Sequence, residues 1–196
     1  VTDINGETRS GNTSVAVAYQ ALQLSINTPD ELPASEFKNL LIRSANLNGI
    51  FEKATVTVTI HKLKQPNRIF RNRYWEQPDQ FLMSEEEYHT LFPYDIYKDE
   101  NLVANWPKQE KITESTDTTS ETANYKLPTT NFPPGWYQVE VITKDKNGET
   151  VKAVKNIHLT GKQTTNPTMF GSVRSTKSEY EPGEKATYTL ETNLDS

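Results

Sequence analysis

The chain has 196 residues, no cysteine, 34% hydrophobic residues and a formal net charge of −5. The missing cysteines exclude disulfides, thiolate zinc sites and cysteine catalysis within it. The acidic balance argues against nucleic acid as the main partner, and no apolar run reaches the length of a membrane-spanning helix.

The first segment carries a repeat. Asp3-Ile4-Asn5-Gly6-Glu7-Thr8 returns as Asp145-Lys146-Asn147-Gly148-Glu149-Thr150, and each copy precedes a strand-like run, Ser14 to Tyr19 and Val151 to Leu159. Self-similarity at this spacing is the mark of an array of modules. The expected division is residues 1–19 as the closing hairpin of one β module and 20–160 as an intact module. Residues 161–168 read as a linker and 169–196 as the opening strands of a further module. The N-terminal stretch does not read as a signal peptide, so any export signal is expected upstream. Asn12-Thr13-Ser14 is a formal glycosylation sequon and weak by itself.

Near Gln20 the apolar alternation changes parity. Val15, Val17 and Tyr19 give way to Leu22, Leu24 and Ile26, which predicts one strand ending and another starting. Thr28-Pro29-Asp30 ends that second strand. Asn39 to Arg43 is a short strand, and Asn48-Gly49 a turn. Thr55 to Ile60 is the clearest strand, with Val56, Val58 and Ile60 on one face and β-branched residues throughout.

From about 64 to 111 the pattern is lost in a proline-punctuated insertion. Within it Ser84-Glu85-Glu86-Glu87 is a capping box, opening a helix of two or three turns that Pro93 closes. Tyr88, Leu91 and Phe92 form its apolar stripe. The stretch from His61 to Trp75 carries Lys62, Lys64, Arg68, Arg71 and Arg73 and no acid, whereas Ser84 to Glu100 holds six acids and one lysine. Opposite charge predicts that the two segments dock. Their aromatics Phe70, Tyr74, Trp75, Phe81, Tyr88, Phe92, Tyr94, Tyr97 and Trp106 then form a local mini-core. The alternative is a partner-binding surface built on Arg71, Arg73, Tyr74, Trp75 and Trp106, since Trp, Tyr and Arg dominate interface hot spots.

Beyond the insertion, Ser115 to Asn124 reads as a mobile polar loop and Tyr125 to Leu127 as a short strand. Trp136 to Thr143 is a strand with Tyr137, Val139 and Val141 inward. Asp145 to Glu149 is a tight hairpin turn, and Val151, Ala153, Ile157 and Leu159 line the returning strand. Met169 to Ser175 and Ala186 to Leu190 are two strands joined through Tyr180-Glu181-Pro182-Gly183-Glu184. The chain therefore reads as all-β, an antiparallel β-sandwich with a long, partly helical insertion.

Catalytic patterns are lacking. His61, His89 and His158 stand far apart with no nucleophile-elbow or zincin context, and the two strand histidines are placed on the solvent face. Asp95, Asp99 and Glu100 are oxygen ligands that could hold calcium, but their spacing favours a solvated acidic loop. The two Asp-x-Asn-Gly-Glu copies read as hairpins rather than calcium loops. No cofactor is expected.

Three stretches carry a family resemblance: Pro134-Gly135-Trp136-Tyr137-Gln138-Val139, the Asp-x-Asn-Gly hairpin, and Tyr180-Glu181-Pro182-Gly183-Glu184. They resemble the macroglobulin-type β-sandwich (fibronectin-III-like) modules of the alpha-2-macroglobulin family. Arg71 to Phe81 and Met83 to Tyr88 resemble stretches of its large bacterial, Bacteroides-like members. The resemblance covers nearly the whole chain. It implies seven-stranded antiparallel sandwiches without catalysis, inside an exported parent that is periplasmic or at the cell surface and in some members lipid-anchored. Such parents trap proteases, in many members through a Cys-Gly-Glu-Gln thioester, which this chain cannot contain. The implied partners are neighbouring modules and, through the parent, proteases. The rival expectation is an adhesin or glycan-binding sandwich using the aromatic insertion, in which Trp75 and Trp106 would be exposed.

Overall fold

The computed structural model describes residues 21–71, 74, 76, 79–128, 131–161, 171–175, 177 and 179–192. The described residues are mostly strand with one α-helix, an all-β fold. Alternation of apolar and polar residues builds the principal strands. In β4 (Thr55–Leu63), Val56, Val58 and Ile60 are fully buried while Thr55 is exposed and Thr57 and Thr59 are half-buried. In β7 (Gly135–Lys144), Tyr137, Val139 and Val141 do the same, so both strands turn one face to the core.

The remaining strands are β1 (Leu22–Ile26), β2 (Glu31–Pro33), β3 (Asn39–Asn46), β5 (Lys108–Thr118), β6 (Asn124–Lys126), β8 (Thr150–Thr160), β9 (Gly171–Ser175) and β10 (Tyr188–Thr192). They form a five-stranded sheet in the order β2-β8-β7-β4-β5, a three-stranded sheet in the order β1-β3-β6, and a separate β9/β10 pair. One apolar cluster draws on the two larger sheets, joining Leu22, Leu40 and Ile42 to Val58, Val139 and Ile157. Phe37, Phe132 and Tyr137 interlock edge-to-face within it, at 4.9 and 5.7 Å. A buried polar link ties the sheets at one end. The Ser44 and Thr119 hydroxyls lie 2.6 Å apart, Ser44 donates to the Glu52 carbonyl, and Thr119 accepts from the Ala54 N–H.

The hairpin after β7 forms as its sequence predicts. Asp145 Oδ1 accepts from the N–H groups of Asn147 and Glu149 at 2.8 and 3.0 Å, and Gly148 takes the left-handed φ of +83°. Asp145 Oδ2 accepts from the Ala21 N–H at 2.8 Å. These bonds, Ala21 foremost, hold the carboxylate below its ordinary pKa. With both oxygens committed to backbone N–H groups, the second Asp-x-Asn-Gly-Glu copy is a turn. The first copy, the strand expected at Ser14 to Tyr19, the sequon, and the linker residues 162–168 lie outside the described residues. So does any pairing between Ser14–Tyr19 and the C-terminal strands.

Three expectations need correction. Ser115 to Asn124 is not one mobile loop. Through Thr118 it belongs to β5, which pairs with β4 from Thr55↔Thr118 to Leu63↔Lys108. It is an edge strand, largely exposed and rich in charge, so its sequence lacks the apolar alternation of a covered strand. The sheet also resumes at Lys108, inside the range assigned to the insertion. Second, the pairing is not wholly antiparallel. β2 runs parallel to β8, with Glu31 opposite His158, and its Pro33 is tolerated because β2 is an edge. Third, the two strand histidines do not face open solvent: His158 is buried and His61 half-buried.

Candidate functional site

The excursion between β4 and β5, residues 64–107, is the most distinctive surface of the molecule. Its helix α1 (Glu85–Leu91) starts where the capping box predicts. Ser84 Oγ accepts from the Glu87 N–H, and Glu87 Oε2 accepts from the Ser84 N–H. The helix stops at Phe92, ahead of Pro93.

The basic and acidic segments dock on each other. Arg71 pairs with Asp95 at 2.5 Å, and the Arg71 N–H donates to the Tyr94 carbonyl. Arg68 donates to the Asp95 carbonyl at 2.7 Å and reaches Glu100 at 3.4 Å. Glu100 Oε1 also accepts from the Tyr97 N–H at 2.6 Å and lies 3.2 Å from His89 Nε2. Of the acidic trio Asp95, Asp99 and Glu100, Asp95 is turned to Arg71 and Glu100 to His89. Among the described residues, the potential metal-ligating group is instead Glu85, His89 and Glu100.

The aromatics divide into two sets. Phe81, Tyr88, Phe92 and Tyr97 cluster around the helix, with ring separations of 4.9 to 5.4 Å. Trp106 leaves that cluster and packs on the five-stranded sheet. It is 7% exposed, stands edge-on to Trp136 at 5.6 Å, and donates Nε1–H to the Glu100 carbonyl at 2.8 Å. Trp136 in turn stacks on His158 at 4.7 Å and 16°. His158 Nδ1 lies 3.0 Å from Glu31 on the parallel edge strand.

These contacts cover His158. Trp136 and His158 are register partners on the outer face of the sheet, and His61 pairs with Gln138 beside them. Trp106, at the end of the excursion, packs on Trp136 there, His158 is only 7% exposed beside Trp136 and Glu31, and His61 is half-buried. Burial, with the nearby Lys108 charge second, pushes the His61 pKa down. The buried Nδ1 of His61 and Nε1 of Trp136 have no hydrogen-bond partner.

Of the residues expected to form a contact surface, Trp106 is buried, and Arg71 pairs with Asp95 while its side chain stays exposed. Tyr74 is 89% exposed. Arg73 and Trp75 lie outside the described residues. Leu82, which no sequence pattern marks, is 93% exposed on the approach to the helix.

Elsewhere an open cleft of about 900 Å³ runs between β1, the Asn48-Gly49 turn and the start of β8, lined by Leu22, Leu24, Arg43, Leu47, Glu149 and Val151. No helix among the described residues is long and apolar enough to cross a membrane. No family model, curated protein or solved structure matches this chain.

Proposed function

We propose that this chain is a non-catalytic structural module of an exported, alpha-2-macroglobulin-like protease-trapping protein. In this reading the two larger sheets are the halves of a macroglobulin-type β-sandwich. The shared apolar cluster supports that arrangement. The observation that carries the scaffold reading is the burial of Trp106 against Trp136 beneath an excursion clamped by Arg68 and Arg71. A contact surface of the adhesin type would present that tryptophan. Here its apolar area is spent on fixing the excursion to the sheet.

The test uses the intact protein as its source produces it. It is challenged with a broad-specificity protease and examined for retained protease by size exclusion, with mass measured after methylamine treatment. Retention is expected. A methylamine mass gain with a covalent adduct would place a thioester elsewhere in the parent, and retention without it would mean a non-covalent trap. No retention would sink the proposal. The second reading, a protein- or glycan-binding module, rests on the exposed Tyr74 and Leu82.

A further inference from the structure

We infer that Glu85, His89 and Glu100 form a divalent-metal site, suited to zinc, that fastens helix α1 to the turn following it. The inference does not depend on the protease-trap reading. Glu85 and His89 are four residues apart on α1, so both project from one helical face. The turn at Tyr97 to Glu100 brings the third carboxylate to that face, held by the Tyr97 N–H.

One ligand atom from each residue lies within 4.8 Å of the others. His89 Nε2 and Glu100 Oε1 are 3.2 Å apart. Two tetrahedral ligands about 2.0–2.1 Å from zinc are separated by about 3.3 Å, so this edge is already near its bound length. Glu85 is exposed and free to swing in. One imidazole and two carboxylates suit zinc, with water in the fourth position, whereas calcium would need about 6–8 oxygens.

The surroundings are those of a supported site. Glu100 Oε1 accepts from the Tyr97 N–H, and Arg68 Nη1 stands 3.4 Å from it, too long for a strong hydrogen bond, so a lone pair stays available. Arg68 reaches Glu100 Oε2 at 3.4 Å and orients the carboxylate, as outer-shell donors do. The Tyr97 and Tyr88 rings wall His89 at 6.1 and 6.5 Å. Zinc would bind Nε2 of the neutral imidazole, the tautomer that carries its proton on Nδ1. The Arg68 charge opposes a dication, which tempers affinity without closing the site.

The experiment is calorimetric titration of the full chain with zinc chloride, with cobalt(II) absorption as a report on geometry. One zinc per chain and a four-coordinate cobalt spectrum are expected, and calcium at the same concentration should give no heat. His89→Gln should abolish binding. Glu85→Gln should weaken it at least as much as losing an outer-shell partner, about 10–100-fold. Glu85 is exposed, so that variant tests the site even if His89→Gln misfolds, and Glu86→Gln should bind as the parent chain does. Absence of zinc binding, or equal binding by Glu85→Gln, overturns the inference.

Discussion

Tyr137 concentrates several forces in one residue. Its ring is fully buried between the sheets, and its hydroxyl donates to the Pro133 carbonyl at 2.6 Å, pinning the turn that launches β7. Burial, with the Glu110 charge second, pushes its pKa up to about 12. The folded state thus favours the neutral phenol, while the unfolded chain ionises near 10. The associated stability is complete below pH 10 and is lost as pH rises from there through about 12. Tyr137→Phe should cost about 1 kcal/mol near neutrality through the lost hydrogen bond. It should also remove this part of the alkaline loss. Urea melts at neutral and strongly alkaline pH should therefore show the two proteins converging, and parallel behaviour would contradict the assignment. This residue was legible in outline from the sequence, because the alternation of Tyr137, Val139 and Val141 marks the inward face. Its bond to Pro133 was not, since it depends on how the turn folds.

Among the elements, the excursion and β5 behave differently from their sequences. Trp106 anchors the excursion by packing and by its bond to the Glu100 carbonyl. Trp106→Ala should destabilise by about 3–5 kcal/mol and speed amide exchange across 64–107. A loss under about 1 kcal/mol would mean that the excursion is held mainly by its ion pairs. The capping box was readable because all its partners lie within one turn. The destination of Trp106 was not, because Trp136 is remote in sequence and either could have been a surface residue. For β5, the exposed Lys111–Glu114 pair at 3.0 Å contributes little to stability and guards an open edge. Replacing both with valine should leave the unfolding free energy within about 0.5 kcal/mol. It should also produce concentration-dependent association in sedimentation velocity. A variant that stays monomeric would show that other charges on the strand suffice. Edge strands escape pattern reading for the same reason: with little covered on either face, selection for alternation is weak.

At the scale of the whole molecule, one core serves the two larger sheets, and β4, between β7 and β5, gives it Val56, Val58 and Ile60. Ile60→Ala, at a fully buried position, should cost about 2–5 kcal/mol. Because Trp106 and Trp136 report on the covered outer face, tryptophan fluorescence and far-UV circular dichroism should give coincident transitions. An earlier fluorescence transition would identify the excursion as a separately melting unit.

The sequence by itself determined the all-β class, the main strands, the helix cap, the Asp145 hairpin and the charge pairing that draws the excursion's segments together. These are set by side chains a few residues apart, through alternation, turn chemistry and local hydrogen bonds. Only the tertiary structure decided that β2 runs parallel to β8, that the polar stretch before Thr119 is an edge strand, and that Trp106 packs on Trp136, which stacks in turn on His158. It also brought Glu85, His89 and Glu100 together. Each of these depends on which distant surfaces meet, and a polar or aromatic residue carries no local signal of whether water or another segment will cover it.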